Sequence, residues 1–157
     1  MSQPEDTRQT VRTLLRQQQF GVLSTVANDA PYASLVAYAA SEDDRYLYFV
    51  TPRATRKYAN ISANARVALL VSSSRNQPED IQQAAAVTAL GAARSVSSSD
   101  RDAVLSVYQS KHPGLEAFVR SPDSELMEII VSSYILVERF QTVSEYRIDH
   151  DLDHAII

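Results

Sequence analysis

Three cations, Arg53, Arg56 and Lys57, stand within five residues in the stretch VTPRATRKYANI (Val50 to Ile61), although the chain carries a formal net charge of −4. They follow the apolar run RYLYFV and are interleaved with Thr51, Pro52 and Thr55. If a helix begins near Thr55, its first backbone N–H groups lack internal partners and lie at the positive end of the helix dipole. Arg56 and Lys57 add formal charge there, and the hydroxyls of Thr51 and Thr55 can donate hydrogen bonds. That combination suits an anion, most naturally a phosphate. A first helical turn ordinarily favours acids, so the cations need a reason. The competing reading is a solvated basic turn paired with the nearby carboxylates Glu42, Asp43 and Asp44.

Other residues with chemical potential read more plainly. The serine clusters VSSSR and SVSSSDR lack the strand–turn–helix setting and the His/Asp partners of a nucleophile, and read as strand-end and cap residues. His112, in KHPG, suits the C-terminal end of a helix. His150 and His154 alternate with Asp149, Asp151 and Asp153 in IDHDLDHAII. An i, i+4 histidine pair could hold a divalent metal, or one histidine could ligate haem, but a solvated tail is the simpler expectation. Glu125, Glu128 and Glu138 alternate with apolar residues and are expected to face solvent, so no acid/base pair stands out. Tyr32, Tyr38, Tyr46 and Tyr48 could stack on a planar ligand, although strand packing explains most of them.

The elements that must position these groups follow from periodicity. PEDTRQTVRTLLRQQQ places Val11, Leu14 and Leu15 at helical spacing after an acidic start. FGVLSTVA, YASLVAYAA and RYLYFVT read as three strands joined by the polar turns NDAP and SEDD, an antiparallel meander. ATRKYANISAN predicts a short helix and RVALLVS a buried strand. SSRNQPEDIQQ predicts a polar loop long enough to be mobile or to serve a function. AAAVTALGAARSV predicts a strand with Gly91 at a bend or bulge. SSSDRDAVLSVYQSKHPG predicts a helix with Ser99 and Asp102 in capping-box spacing. ELMEIIVS and YILVERFQTV predict two final strands.

This pattern gives an α+β, mainly β fold, a six- to seven-stranded antiparallel split β-barrel with a few peripheral helices. An open sheet with helices on one side is the competitor. The expected division is an N-terminal helix packed on the barrel (1–19), the barrel (20–148) and a C-terminal tail (149–157). At 157 residues one domain is expected. The acidic balance argues against a nucleic-acid partner, and the absence of cysteine excludes thiolate chemistry and disulfides. Neither a secretory signal nor a membrane span is legible, so a cytoplasmic, soluble protein is expected.

The order of these pieces carries a resemblance. APYASLVAYAASEDDRYLYFVTPRATRKYANISANARVALLVSSS followed by VTALGAARSV resembles the pyridoxamine-5′-phosphate-oxidase-like, flavin-binding split-barrel family, closest to its haem-utilisation (HugZ-type) branch. The resemblance spans about Phe20 to Phe140. It implies an FMN-binding homodimer with two cofactors at the subunit interface. By the same resemblance Ser34, Leu35 and Val36 would line the flavin, partly through backbone groups. Val50 and Thr51 would lie near the ribityl chain or phosphate, and Thr55, Arg56 and Lys57 would hold the phosphate. An oxidoreductase acting on an unidentified small molecule is the expected activity. A non-catalytic flavin- or haem-binding protein is the alternative, and another phosphorylated carrier such as a deazaflavin is a third possibility.

The chain also departs from its relatives. The family's oxidase has a glutamine near the place of Ala86, and a C-terminal aromatic and arginine pattern that ERFQTVSEYRIDHDLDHAII lacks. True pyridoxamine-phosphate oxidase activity is therefore not expected. The glycine-phenylalanine-glycine run of the haem branch is also missing.

Overall fold

The computed structural model describes residues 4–150. Helix α1 (Pro4–Gln17) begins with Glu5 and Asp6 and ends with Arg16, matching its dipole. It buries Val11, Leu14 and Leu15 in the main core. Strands β1 (Phe20–Ala27) and β2 (Ala30–Ala40) form a hairpin whose turn, Asn28 and Asp29, has φ of 52° and 60°. That is the two-residue turn whose positive φ values Asn and Asp tolerate. Next come β3 (Tyr46–Pro52), α2 (Arg56–Ala63), β4 (Arg66–Ser72), α3 (Asp80–Gln83), β5 (Ala85–Ser95) and α4 (Arg101–Lys111). A 3-10 turn (Pro113–Leu115), α5 (Glu116–Arg120), β6 (Ser124–Glu138) and β7 (Thr142–Arg147) complete the order.

The strands run β3-β2-β1-β4-β5-β6, and antiparallel pairing of β6 with β3 closes them into a six-stranded barrel, with β7 added beside β6. The open-sheet competitor is thereby excluded. Closure satisfies the strand edges that so many short apolar strands would otherwise expose. Between β2 and β3 the seam is incomplete, because only Tyr38–Ala40 and Leu47–Phe49 pair. Below them the two strands part, which is the split of the barrel.

Three local expectations change. The two final strands are one, since β6 runs unbroken through Ser132 and Ser133, and the reversal comes only at Arg139–Phe140. Those two residues take the positive-φ turn in place of Asn or Gly, so no turn signal marked it. At Ser132 β6 instead bulges, because Leu90 of β5 pairs with Ser133 and Gly91 with Val131, which leaves Ser132 as the extra residue, its Oγ donating to the Leu90 carbonyl at 2.9 Å. The capping box is not formed: Asp100 is the N-cap of α4, without a side-chain cap bond, and Ser97 Oγ donates to its carboxylate at 2.9 Å. The polar loop is self-fastened, with the Asp80 carboxylate accepting from the backbone N–H groups of Arg75 and Gln77.

Helix α4 holds β2 where the split begins. Tyr108 Oη donates to the Ala37 carbonyl (3.1 Å). His112 Nε2 lies 2.6 Å from the Tyr38 carbonyl, which can only accept, so this nitrogen carries the proton. Lys111 Nζ donates to the Leu15 carbonyl at the end of α1 (3.0 Å) and sits 4.0 Å from the Tyr38 ring centroid.

Burial lowers the Lys111 pKa to about 8, and the Arg16 charge adds in the same direction. Between about 8 and the ordinary 10.5 the unfolded chain keeps a proton that the folded chain has released, so this group's contribution to stability rises with pH across that window. The melting-temperature difference between wild type and Lys111→Met is therefore expected to shift in favour of wild type from pH ~7.5 to pH ~10. Referencing to the variant cancels Tyr48 and Tyr108, raised by burial to about 12, whose contribution is lost as pH climbs from about 10 to 12. A difference that stays flat across the range would show that the ammonium is not desolvated.

Candidate cofactor site

Strand β3 ends at Pro52, and the chain turns into α2 through Arg53 and Ala54. Thr55 is the N-cap, with extended backbone, and its Oγ1 accepts from the Tyr58 N–H at 3.3 Å. Its own proton goes to the Pro52 carbonyl at 2.9 Å. Thr51 is fully buried, its Oγ1 2.8 Å from Thr55 Oγ1. The two hydroxyls therefore fasten the turn to the strand end. Asn60, buried on the inner side of α2, donates to Thr25 Oγ1 of β1 at 3.0 Å and pins the helix to the barrel.

This construction presents the start of α2 with the N–H groups of its first turn and the side chains of Arg56 and Lys57. Two of the three carboxylates that might have neutralised those cations, Asp43 and Asp44, are engaged elsewhere. Asp44, 1% exposed, pairs with Arg16 (2.9 Å) and Arg12 (3.6 Å), and Asp43 with Arg45 (3.7 Å). Among the described residues no carboxylate pairs with Arg56 or Lys57. The guanidinium of Arg56 instead lies over the ring of Tyr32, 5.1 Å from its centroid. Arg53 has a separate task, bonding Glu125 (2.9 Å) and the Pro122 carbonyl (2.7 Å) across the β3–β6 ladder.

The split sets the other wall. On β2 the segment Ala33–Ala37 pairs with β1 along one edge, and along the edge toward β3 it has no strand partner. Backbone groups on such an edge must be met by a side chain, as Tyr108 Oη meets the Ala37 carbonyl, or by water or a ligand. Ser34 points inward, with an Oγ that is enclosed and has no hydrogen-bond partner among the described residues. Leu35 points outward at 67% exposure, and Val36 is buried in the barrel. Across the gap Val50 buries its side chain under α4 and α5, so only its backbone is available to a ligand, and Thr51 follows it. The structure thus brings Ser34, Leu35 and Val36 to one side of the split and Val50, Thr51, Thr55, Arg56 and Lys57 to the other and its end.

Beside the split lies an open apolar sheet face. Leu35, Val22 and Leu70 are register partners across β2, β1 and β4, and Phe20 and Leu90 are also exposed on this sheet. A cleft of about 680 Å³ on this face is lined by Ser24, Val26, Pro31, Ala68, Leu90 and the cation Arg66, among others.

Glu128 corrects an expectation. It is buried and paired with Arg94 at 2.8 Å, and Glu125 is bonded to Arg53, so neither is a plain solvent-facing residue. Tyr38 is core, its Oη bonded to the Leu15 carbonyl. Tyr46 and Tyr48 stack on each other, and His150 tilts against Tyr46 while its Nε2 lies 2.7 Å from the Val131 carbonyl. His150 is thus fastened to the barrel, whereas His154 lies outside the described residues. Among the described residues no three metal-binding side chains gather. Likewise no helix among them is long and apolar enough to cross a membrane. Sequence reasoning missed the Asn60–Thr25 bond and the Tyr32–Arg56 contact, both of which join residues distant in the chain.

Comparison with known structures agrees with this architecture. The fold is similar to that of a haem-binding protein from Mycobacterium smegmatis (TM-score 0.79, 14% identity, covering 94% of this chain and 59% of that one). ChuZ from Campylobacter jejuni is similar in the same way (TM-score 0.79, 11% identity, 94% and 61% covered). An FAD-binding protein from Mesorhizobium loti follows (TM-score 0.63, 21% identity, 82% and 90% covered). The chain spans about three fifths of the length of the first two. No curated protein matches it in sequence. The family model for pyridoxamine 5′-phosphate oxidase matches residues 7–137, taking in the barrel, the split and the basic start of α2, and the chain belongs to the pyridoxamine 5′-phosphate oxidase family.

Proposed function

We propose that this protein binds FMN in the split of its barrel and works as a flavin-dependent oxidoreductase on a small molecule. The observation that carries the reading is the β2 edge at Ser34–Val36, without a strand partner and facing Val50 and Thr51, with Arg56 and Lys57, paired with no carboxylate among the described residues, at its end. Such an edge offers backbone donors and acceptors to the rim of a planar heterocycle. The start of α2 offers N–H groups and two positive charges to a phosphate. Bound FMN would supply the redox chemistry, accepting and passing on electrons or hydride. The chain's own residues would bind, orient and shield it. Thr51 and Thr55 hold the turn in place, Ser34 has an enclosed hydroxyl without a partner among the described residues, and Leu35 puts an apolar side chain at the mouth.

The apolar sheet face beside the split supports a homodimer, in which a second copy would cover Phe20, Leu35, Leu70 and Leu90 and close the site from outside. A cytoplasmic location fits the same reading. The visible spectrum of the purified protein, before and after adding FMN, tests it. Flavin bands retained through gel filtration, on a species of twice the chain mass, are expected. Bleaching by NADH or NADPH and recovery with an acceptor would distinguish an enzyme from a flavin carrier. A Soret band on adding haem would instead favour the haem-binding alternative, for which His150 would have to release the Val131 carbonyl. A protein that takes up no FMN overturns the proposal.

A further inference from the structure

We infer that Tyr32 is a positioning residue that gives the site its preference for a phosphorylated flavin, by holding Arg56 ready for the phosphate. This rests on the FMN reading above. Arg56 occupies the first turn of α2, where the helix dipole repels a cation, and no carboxylate among the described residues compensates it. Its described contact is the face of Tyr32, 5.1 Å away. Tyr32 is placed there by the β1–β2 register, which sets it opposite Thr25, the residue that Asn60 of α2 bonds. Ring and helix are thus tied to one point of the barrel.

The choice of an aromatic partner has a chemical consequence. A carboxylate would hold Arg56 equally well but would neutralise it and compete with an incoming phosphate. A ring face attracts the guanidinium through its quadrupole and leaves the positive charge intact. It also restricts a long side chain before the ligand arrives, so less rotamer freedom is lost on binding. The gain applies only to ligands that use Arg56. FMN does so through its phosphate, and riboflavin, with the same ring and ribityl chain but no phosphate, does not.

The test is a fluorescence titration of wild type, Tyr32→Phe and Tyr32→Leu with FMN and with riboflavin, repeated in an Arg56→Ala background. Tyr32→Leu is expected to weaken FMN binding about three- to tenfold, the range of an exposed to partly covered cation–π contact, and to leave riboflavin unchanged. Tyr32→Phe keeps the ring and should bind FMN like wild type. With Arg56 already replaced, Tyr32→Leu should cost nothing further. Equal losses for FMN and riboflavin, or a Tyr32→Leu effect that survives in the Arg56→Ala background, would overturn the inference, as would a Tyr32→Phe that fails to restore binding. A wild type that binds neither flavin overturns the parent reading. One that binds FMN with no sensitivity to Tyr32 overturns this inference alone.

Discussion

Replacing Arg56 and Lys57 together by alanine is expected to weaken FMN binding by about a hundredfold or more while leaving the fold intact. Each charge-assisted hydrogen bond to a phosphate contributes about 1.5–3 kcal/mol, so two contribute about 3–6 kcal/mol, and each ~1.4 kcal/mol is a factor of ten. The fold should tolerate the change, because neither side chain is buried or paired with a carboxylate among the described residues, and such surface changes stay within about 0.5 kcal/mol. Two signatures separate loss of the clamp from general damage. Riboflavin affinity should be unchanged, and the salt dependence of FMN binding in wild type should flatten in the variant. Arg53→Ala is the matched control, since its cation is committed to Glu125 and the Pro122 carbonyl and should not affect the ligand. Full FMN binding by the double variant would place the phosphate elsewhere and remove the central argument for this site.

The reasons that this site was legible in the sequence are local ones. Thr55 before Arg56 follows the rule that a hydroxyl caps a helix, and a cation in a first helical turn is a local anomaly that spacing reveals. The β1–β2 hairpin announced itself through Asn28–Asp29, because those residues tolerate positive φ. What could not be read is what depends on pairing across the barrel. Nothing adjacent to Glu128 says that Arg94 will bury it, and nothing near Tyr32 says that Arg56 will lie on its ring. The length of β6 depends on the same kind of pairing: Ser132–Ser133 looks like a break, but β6 takes up Ser132 as a bulge whose Oγ bonds the Leu90 carbonyl of β5, and the strand continues. At Arg139–Phe140 the local signal was misleading, because positive φ falls on residues that rarely adopt it.

Gly91→Ala is expected to destabilise the protein by about 3 kcal/mol or more, well above the ordinary effect of a surface glycine. The reason is space, because no glycine here has a positive φ. At the Leu90/Gly91 irregularity the two strands approach so closely that a Cβ on Gly91 would stand 2.2 Å from the Ile130 carbonyl oxygen, 2.9 Å from its carbon and 3.0 Å from Ile129 Cγ2. The nearest two atoms are backbone and cannot swing aside. Ile130 is also held from its other side, as the register partner of Tyr46 in the β3–β6 pairing that closes the barrel. Relief of the clash must therefore open either the β5–β6 ladder or the closure itself. For a domain of this size the cost corresponds to a fall of roughly 6–12 °C in melting temperature. Gly114→Ala, where a Cβ meets nothing within 4 Å, should melt like wild type. Gly91 also lines the cleft on the apolar sheet face, so the strand displacement would disturb the surface proposed to receive the second subunit. Dimer and flavin should then be lost at temperatures where the chain is still folded. A Gly91→Ala protein that melts within about 2 °C of wild type would mean that the bulge relaxes freely, and that closure of the barrel does not depend on this glycine.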